Sequence, residues 1–324
     1  MAIFNGTNSG DDIFGTEASD QMFGFGGNDQ IIGYGGADSM FGGQGADSIF
    51  GGNGGDSIEG GSGGDIIFGG SRDAGNDTVY GDSSADVNLA GSDQIFVSFG
   101  NDFVAGGLLN DVIGGGSGDD ILYGGVQGTN PADVSTQRTG NWGDDRVFGG
   151  QGNDQIGTAG GNDTAYGGLG NDTMFDNGGS NILGGGGGND RIIMTGQGTI
   201  FGGSGNDTIE TTGGTTVVWG GTGVDRIVNS DGSSSNDADI FAFGFGHASS
   251  GDVVIGFEAG EDKIDLGFYD VNGDGIGDLR GENVLIQRRA DLDADGFSAS
   301  TVSFNGEIVT VYSVGNLGAN DILV

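Results

Sequence analysis

GGQGADSIF, GGNGGDSIE and GGSGGDIIF, residues 42–68, are three consecutive nine-residue lines that align one under another. Each has glycine in its first, second and fourth places, Asp in its sixth and Ile in its eighth. Fixed self-similarity at a short period is the signature of a stacked repeat, and it decides the architecture before any single residue is considered.

Extending the nine-residue spacing outward places slot-six Asp at Asp11, Asp20, Asp29, Asp38, Asp47, Asp56 and Asp65 without a slip. The series steps to Asp77, Asp86 and Asp93, then runs through Asp102, Asp111 and Asp120. It resumes after an insertion at Asp145, Asp154, Asp163, Asp172, Asn181, Asp190, Thr199, Asp207, Thr216 and Asp225. Slot eight is apolar almost throughout, from Ile13, Met22 and Ile31 to Ile192, Phe201 and Ile227, with Asn88 the exception.

One inward apolar residue between two outward neighbours describes a very short strand, because side chains alternate across a strand. Each line therefore supplies one turn and one strand. A lone unit cannot bury its apolar residue, so units stack, two per coil, with slot-eight residues from two sheets meeting in a thin core. The glycine-rich half bends tightly and turns carbonyls inward, which needs backbone shapes that glycine adopts at little cost.

Stacking sets the Asp residues of alternate repeats about 4.8 Å apart. Neighbouring carboxylates then repel by about 1 kcal/mol even in water, and by more near a protein surface. A cation between them removes that cost. Calcium suits the site, since it takes six to eight oxygen ligands in tolerant geometry. Zinc and copper favour His or Cys, and the chain has one His and no Cys.

The formal charge of −38, from 47 acids and nine bases, argues against nucleic acid or an anionic membrane as partner. Glycine, 78 of 324 residues, would suggest disorder but for the periodicity, so the chain is expected to be largely unfolded without calcium. MAIFNGTNSGDD at the N-terminus lacks a basic segment ahead of an apolar one, and no signal peptide is expected there. No apolar run reaches membrane-spanning length.

Across residues 6–228 the repeat GGxGxDxUx, with U apolar, resembles the calcium-binding nonapeptide of the RTX family. The resemblance implies an all-β, right-handed parallel β-roll in which slot-six Asp and turn carbonyls of stacked repeats share several Ca2+ ions. It also implies a Gram-negative or cyanobacterial protein exported by the type I secretion machinery through an uncleaved C-terminal signal. GDVVIGFEAGEDKIDL, residues 251–266, is similar to the segment that closes the roll in serralysin-type RTX proteases, and NDILV at the end is similar to the termini of many such substrates.

The expected organisation is a first roll block over 1–123, an insertion over 124–144, a second block over 145–228 and a β-rich cap over 229–324 carrying the secretion signal. The insertion holds Pro131 and Trp142 and is read either as a functional loop or as a tolerated decoration. In the cap, Asn305 and Gly306 lie between two alternating apolar runs, the signal of a hairpin. Asp270, Asn272, Asp274 and Asp278 have calcium-loop spacing, with Gly281 where a bidentate Glu would be required. Calcium and a plain acidic turn both remain open there, and the second reading is favoured for Asp291, Asp293 and Asp295.

Asn181, Thr199 and Thr216 fall on one edge, where either Thr and Asn hydrogen bonds close the turns or a recognition surface replaces metal. Slot nine on one sheet carries Phe14, Ile32, Phe50, Phe68 and Leu89, a stacked apolar patch suited to self-association or to covering by another segment. HExxH is absent and His247 stands alone, so no catalytic constellation is expected. The favoured expectation is a secreted, non-enzymatic calcium-binding protein that self-assembles as a surface-layer, filament or matrix component. The alternatives are a soluble secreted effector or signalling protein, and an accessory module binding carbohydrate, such as a cell-surface glycan, or ice.

Overall fold

The computed structural model describes residues 1–70, 75–82, 90–125, 143–230, 237–242, 252–258, 262–265, 285–292, 298–304, 307–314 and 322–323. Among them no helix occurs; every regular element is a strand. The chain divides into two compact units, Met1–Asn177 and Gly178–Val324.

The first unit holds β1 (Ile3–Asn5), β2 (Asp12–Phe14), β3 (Gln21–Gly26), β4 (Gln30–Gly35), β5 (Ser39–Gln44), β6 (Ser48–Asn53), β7 (Ser57–Ser62), β8 (Ile66–Gly70) and β9 (Thr78–Asp82). It continues with β10 (Gln94–Phe96), β11 (Phe103–Gly107), β12 (Val112–Ser117), β13 (Ile121–Gly125), β14 (Arg146–Gln151), β15 (Gln155–Thr158), β16 (Thr164–Leu169) and β17 (Thr173–Asp176). Odd-numbered strands pair in parallel in a first sheet and even-numbered strands in a second, so each strand pairs with the one a full coil away. This is the expected parallel β-roll.

Slot eight fills the space between the sheets. Met22, Met40, Ile58 and Val79 from the first sheet and Ile31, Ile49, Ile67 and Ile95 from the second are all fully or almost fully buried. Burying each of these side chains stabilises the roll by about 1.5–3 kcal/mol. Slots seven and nine of the same strands point outward, as the two-residue period of a strand requires.

The nine-residue ruler misplaces two rungs. Asp86, Asn88 and Leu89 lie outside the described residues, but β8 pairs directly with β10 and β9 with β11. The rung after Asp77 is therefore Asp93, and the ring stacked on Phe68 is that of Phe96, not Leu89.

Farther on, register places Gly198 against Asn181 and Ile200 against Leu183, so the repeat here is one residue short. Gly198 takes slot six instead of Thr199, and the inward residue is Ile200, while Phe201 is exposed. Gly198 has φ 150°, and a Cβ there would strike the Asn181 carbonyl, so a side chain is excluded at that point.

The second unit holds β18 (Ser180–Gly187), β19 (Arg191–Thr195), β20 (Gln197–Ser204), β21 (Thr208–Thr212), β22 (Thr216–Thr222), β23 (Arg226–Asn229) and β24 (Ile240–Ala242). Then follow β25 (Asp252–Glu258), β26 (Lys263–Asp265), β27 (Leu285–Leu292), β28 (Ser298–Phe304), β29 (Glu307–Val314) and β30 (Ile322–Leu323). β24 pairs in parallel with β22, β25 with β23, and β26 with β24, so roll pairing runs across residue 228 without interruption. β28 and β29 pair antiparallel on either side of residues 305–306, with Phe304 opposite Glu307, as the hairpin signal requires. Asp270, Asn272, Asp274 and Asp278, together with His247, Pro131 and Trp142, lie outside the described residues.

Candidate metal centre

Asp11 is half-buried; each later slot-six Asp among the described residues follows a tight turn and is buried. Its backbone N–H donates to Oδ1 of the Asp one coil later: Asp29 to Asp47 at 2.8 Å, Asp47 to Asp65 at 2.8 Å, Asp93 to Asp111 at 2.8 Å. The same link joins Asp11, Asp20, Asp38, Asp56, Asp77, Asp102, Asp120, Asp145, Asp154, Asp163 and Asp172 to their neighbours in the first unit. In the second unit it joins Asp190, Asp207 and Asp225.

The second carboxylate oxygen is different. Oδ2 of Asp29, Asp38, Asp47, Asp65, Asp93, Asp111, Asp120, Asp154, Asp207 and Asp225 is buried without a hydrogen-bond donor. It lies against the slot-one glycine of its own repeat, beside the slot-one carbonyl of the next coil: a Cβ on Gly42 would touch both Asp47 Oδ2 and Gly60 O. Gly24, Gly33, Gly60, Gly106, Gly149 and Gly202 sit in the same position. Two acceptor oxygens thus converge on a space that only glycine leaves open. A buried anion without a partner costs several kcal/mol.

Electrostatics agree. Burial pushes the carboxyl of Asp65 up to about 8, against the backbone hydrogen bond from Asp47, and the charges of Asp93, Asp47 and Asp82 push in the same direction as burial. Burial likewise takes Asp111 up to about 10 and Asp93, Asp145 and Asp207 up to about 7, with neighbouring Asp charges adding to each. The column as built cannot hold all its negative charges without cations.

The donor set fits calcium: carboxylate and backbone carbonyl oxygens, no imidazole or thiolate. Among the described residues no three acidic or His side chains converge on one point, so each ion would draw on carboxylates of stacked coils and on turn carbonyls rather than on a side-chain cage.

The nonapeptide model matches residues 5–40, 41–71, 73–87, 89–113, 98–127, 139–156, 158–192 and 195–227, as an RTX calcium-binding nonapeptide repeat. The chain belongs to the RTX calcium-binding nonapeptide repeat family. Its repeats bind calcium, and their number implies several ions. No curated protein compared with it matches.

Three features escape the nine-residue spacing. Asp239, Asp252 and Asp262 continue the rungs: Asp225 N–H donates to Asp252 Oδ1 at 2.9 Å and Asp239 N–H to Asp262 Oδ1 at 3.0 Å. Their signal, an Asp with Phe241, Val254 or Ile264 two places on, survives in the sequence although the glycine pair of slots one and two is gone. Slot five forms a second, outer ladder running the other way, in which Asn28 Oδ1 accepts from Ala46 N–H and Asn153 Oδ1 from Asn171 N–H. The recurring Asn-Asp pair is its mark.

The third feature is substitution by side chains on the loops that lead into the second sheet. Slot one there becomes Thr158, Asp176, Thr211 and Asn229, and Thr158 Oγ1 donates to Asp176 at 3.1 Å. Asn181 Nδ2 donates to the Gly178 carbonyl, and Thr216 Oγ1 to Asp239 Oδ1 at 2.8 Å. Hydrogen bonds from Asn and Thr therefore close these turns.

Proposed function

We propose that this protein is a non-enzymatic calcium-binding component of the extracellular space that folds when it meets calcium outside the cell and then self-associates into a layer, filament or matrix. RTX repeats are typical of proteins exported by type I systems, and millimolar external calcium would make export itself the trigger for folding. The slot-six residues Asp29 to Asp172, with Asp190, Asp207 and Asp225, are the proposed ligands, joined by Asp93. Calcium, when bound, supplies the positive charge that the column lacks.

The observation that carries the reading is the run of buried Oδ2 atoms with no donor, each beside an inward carbonyl. In the calcium-free chain these carboxylates repel one another, and the thin one-residue core offers little to oppose them. Self-association is supported by exposed aromatic residues on the roll, Phe14, Phe68 and Phe148 among them, in a chain otherwise strongly acidic. Segment 251–266 is proposed to close the roll as its counterpart does in the serralysin-type proteases, since β25 and β26 extend the paired rungs.

Light scattering during a calcium titration tests the assembly. Growth to dimers and larger species supports it, and a stable monomer in millimolar calcium contradicts it in favour of a soluble effector.

A further inference from the structure

The outer faces of both sheets in the first unit are nearly free of charge, Glu59 alone being ionised in slots seven and nine of the first sheet, and the second sheet differs in carrying one charge of each sign. Over the seven strands from β2 to β14, slots seven and nine carry only two ionised side chains, Asp12 and Arg146, in a chain with a net charge of −38. Both are exposed. Asp12 lies three rungs before β8 and Arg146 three rungs after it.

We propose that this face is a self-complementary contact for a second copy of the chain, related by a two-fold axis that runs parallel to the strands and passes at β8. The proposal rests on the assembly reading above and names its partner and geometry. Such an axis keeps strand directions aligned, as stacked sheets prefer, and reverses the order of rungs, so β2 of one copy faces β14 of the other. Each residue then meets its mirror position, as an isologous interface demands.

The pairs that result are matched in charge and in apolar character. Asp12 meets Arg146 twice, once on each side of the axis. Ile32 meets Gly114, over which the Phe96 ring leans, and Phe50 meets Phe96. At the axis Ile66 and Phe68, which are 38% and 37% exposed, meet their own copies. The alternative two-fold, parallel to the stacking direction, would set Asp12 against Phe14 and leave both charges unpaired.

Ring geometry argues for an apolar protein partner over a sugar. Phe50 and Phe68 stack with centroids 5.2 Å apart and planes 9° apart, and Phe68 and Phe96 stack at 5.7 Å. Their faces are turned to one another along the column, so solvent sees ring edges. A sugar ring packs on an open aromatic face, which this column does not offer, whereas edges and aliphatic side chains interdigitate with a like surface.

A charge-swap cycle followed by sedimentation in calcium tests the geometry. Asp12→Arg and Arg146→Asp should each weaken the dimer roughly tenfold, since each replaces two opposite-charge pairs by like-charge pairs, and the double variant should recover most of the loss. Calcium-induced circular dichroism checks that each variant folds. In the cysteine-free chain, Ile66→Cys should yield a covalent dimer with a short bis-maleimide. If the wild-type chain assembles but the double variant shows no recovery, or Ile66→Cys fails to cross-link, this face is wrong while the assembly reading stands. If the wild-type chain stays monomeric, both fall.

Discussion

Asp47 and Asp20 occupy the same slot of the same repeat, yet their carboxylates are in opposite situations. Asp47 takes one backbone N–H on Oδ1 and leaves Oδ2 buried and unpaired. Asp20, one of the first rungs, receives the Thr16 N–H at 2.9 Å and the Thr16 hydroxyl at 2.6 Å on Oδ2. Asp11 is held the same way by Thr7, and Asp262 Oδ2 receives the Glu258 N–H and Asp239 Oδ2 the Asn229 amide. The rungs at Asp11, Asp20, Asp239 and Asp262 satisfy Oδ2 with protein donors, whereas Asp29, Asp38, Asp47, Asp65, Asp93, Asp111, Asp120, Asp154, Asp207 and Asp225 leave a buried oxygen without one. Slot two decides it in the first coil: Thr there caps the carboxylate, while Gly43, at φ 112°, leaves Asp47 open.

The largest expected effect lies in the open rungs. Asp111→Ala removes a proposed calcium ligand together with the acceptor for the Asp93 N–H, and should cost about 3–5 kcal/mol in calcium by leaving neighbouring charges uncompensated. Denaturant titration would show the loss, and a bound-ion count would fall. A wild-type ion count in this variant would break the distinction between open and capped rungs.

Proton binding sharpens it, because the two classes have opposite signs. In the open rungs the folded carboxyls are raised above the unfolded value of about 3.9, to about 8 at Asp65 and about 10 at Asp111. Their contribution to the calcium-free roll is full below pH 4 and is lost as pH rises through 6 to 10. β content in chelator should therefore return on acidification from pH 8 to pH 4. Asp20 is lowered, by the Thr16 hydroxyl first and the Ala2 N–H next, so its contribution holds above pH 4 and fades below. A calcium-free chain whose β content is unchanged between pH 8 and pH 4 contradicts the repulsion argument.

At the capped end, Thr16→Val should cost about 1.5 kcal/mol, the loss of one hydrogen bond to the buried Asp20 carboxylate, with no change in ion count. The smallest effect is at Leu109, a non-glycine residue held at φ 72°. Leu109→Gly should raise stability by about 1 kcal/mol by relieving that conformation, measured as a shift in the denaturation midpoint.

The two-sheet roll was legible in slots six and eight because one inward residue and one turn anion per repeat are physical requirements of stacking. A fixed ruler fails where the spacing flexes. Asp86 fits the count of nine but not the register, because a longer connection joins β9 to β10, and Thr199 fits where the true repeat is one residue short. The rungs at Asp239, Asp252 and Asp262 went unseen because the glycine pair of slots one and two is absent there, and at Asp239 and Asp262 the Asn229 amide and the Glu258 N–H supply a donor to Oδ2. Capping by Thr7 and Thr16 could have been read from hydroxyls in slot two, where the next five turns carry Phe25, Tyr34, Gly43, Gly52 and Gly61. The outer Asn ladder depends on backbone geometry between coils, which one repeat by itself does not reveal.

The central claim is that cations hold together a column of carboxylates that the chain alone cannot stabilise. Circular dichroism at neutral pH with and without chelator, on a sample whose bound calcium is counted by titration, tests it most directly. The account predicts a β-rich spectrum with several ions bound in millimolar calcium and loss of most of that signal in chelator. Equal β content in both, or a chain that binds almost no calcium, would contradict it.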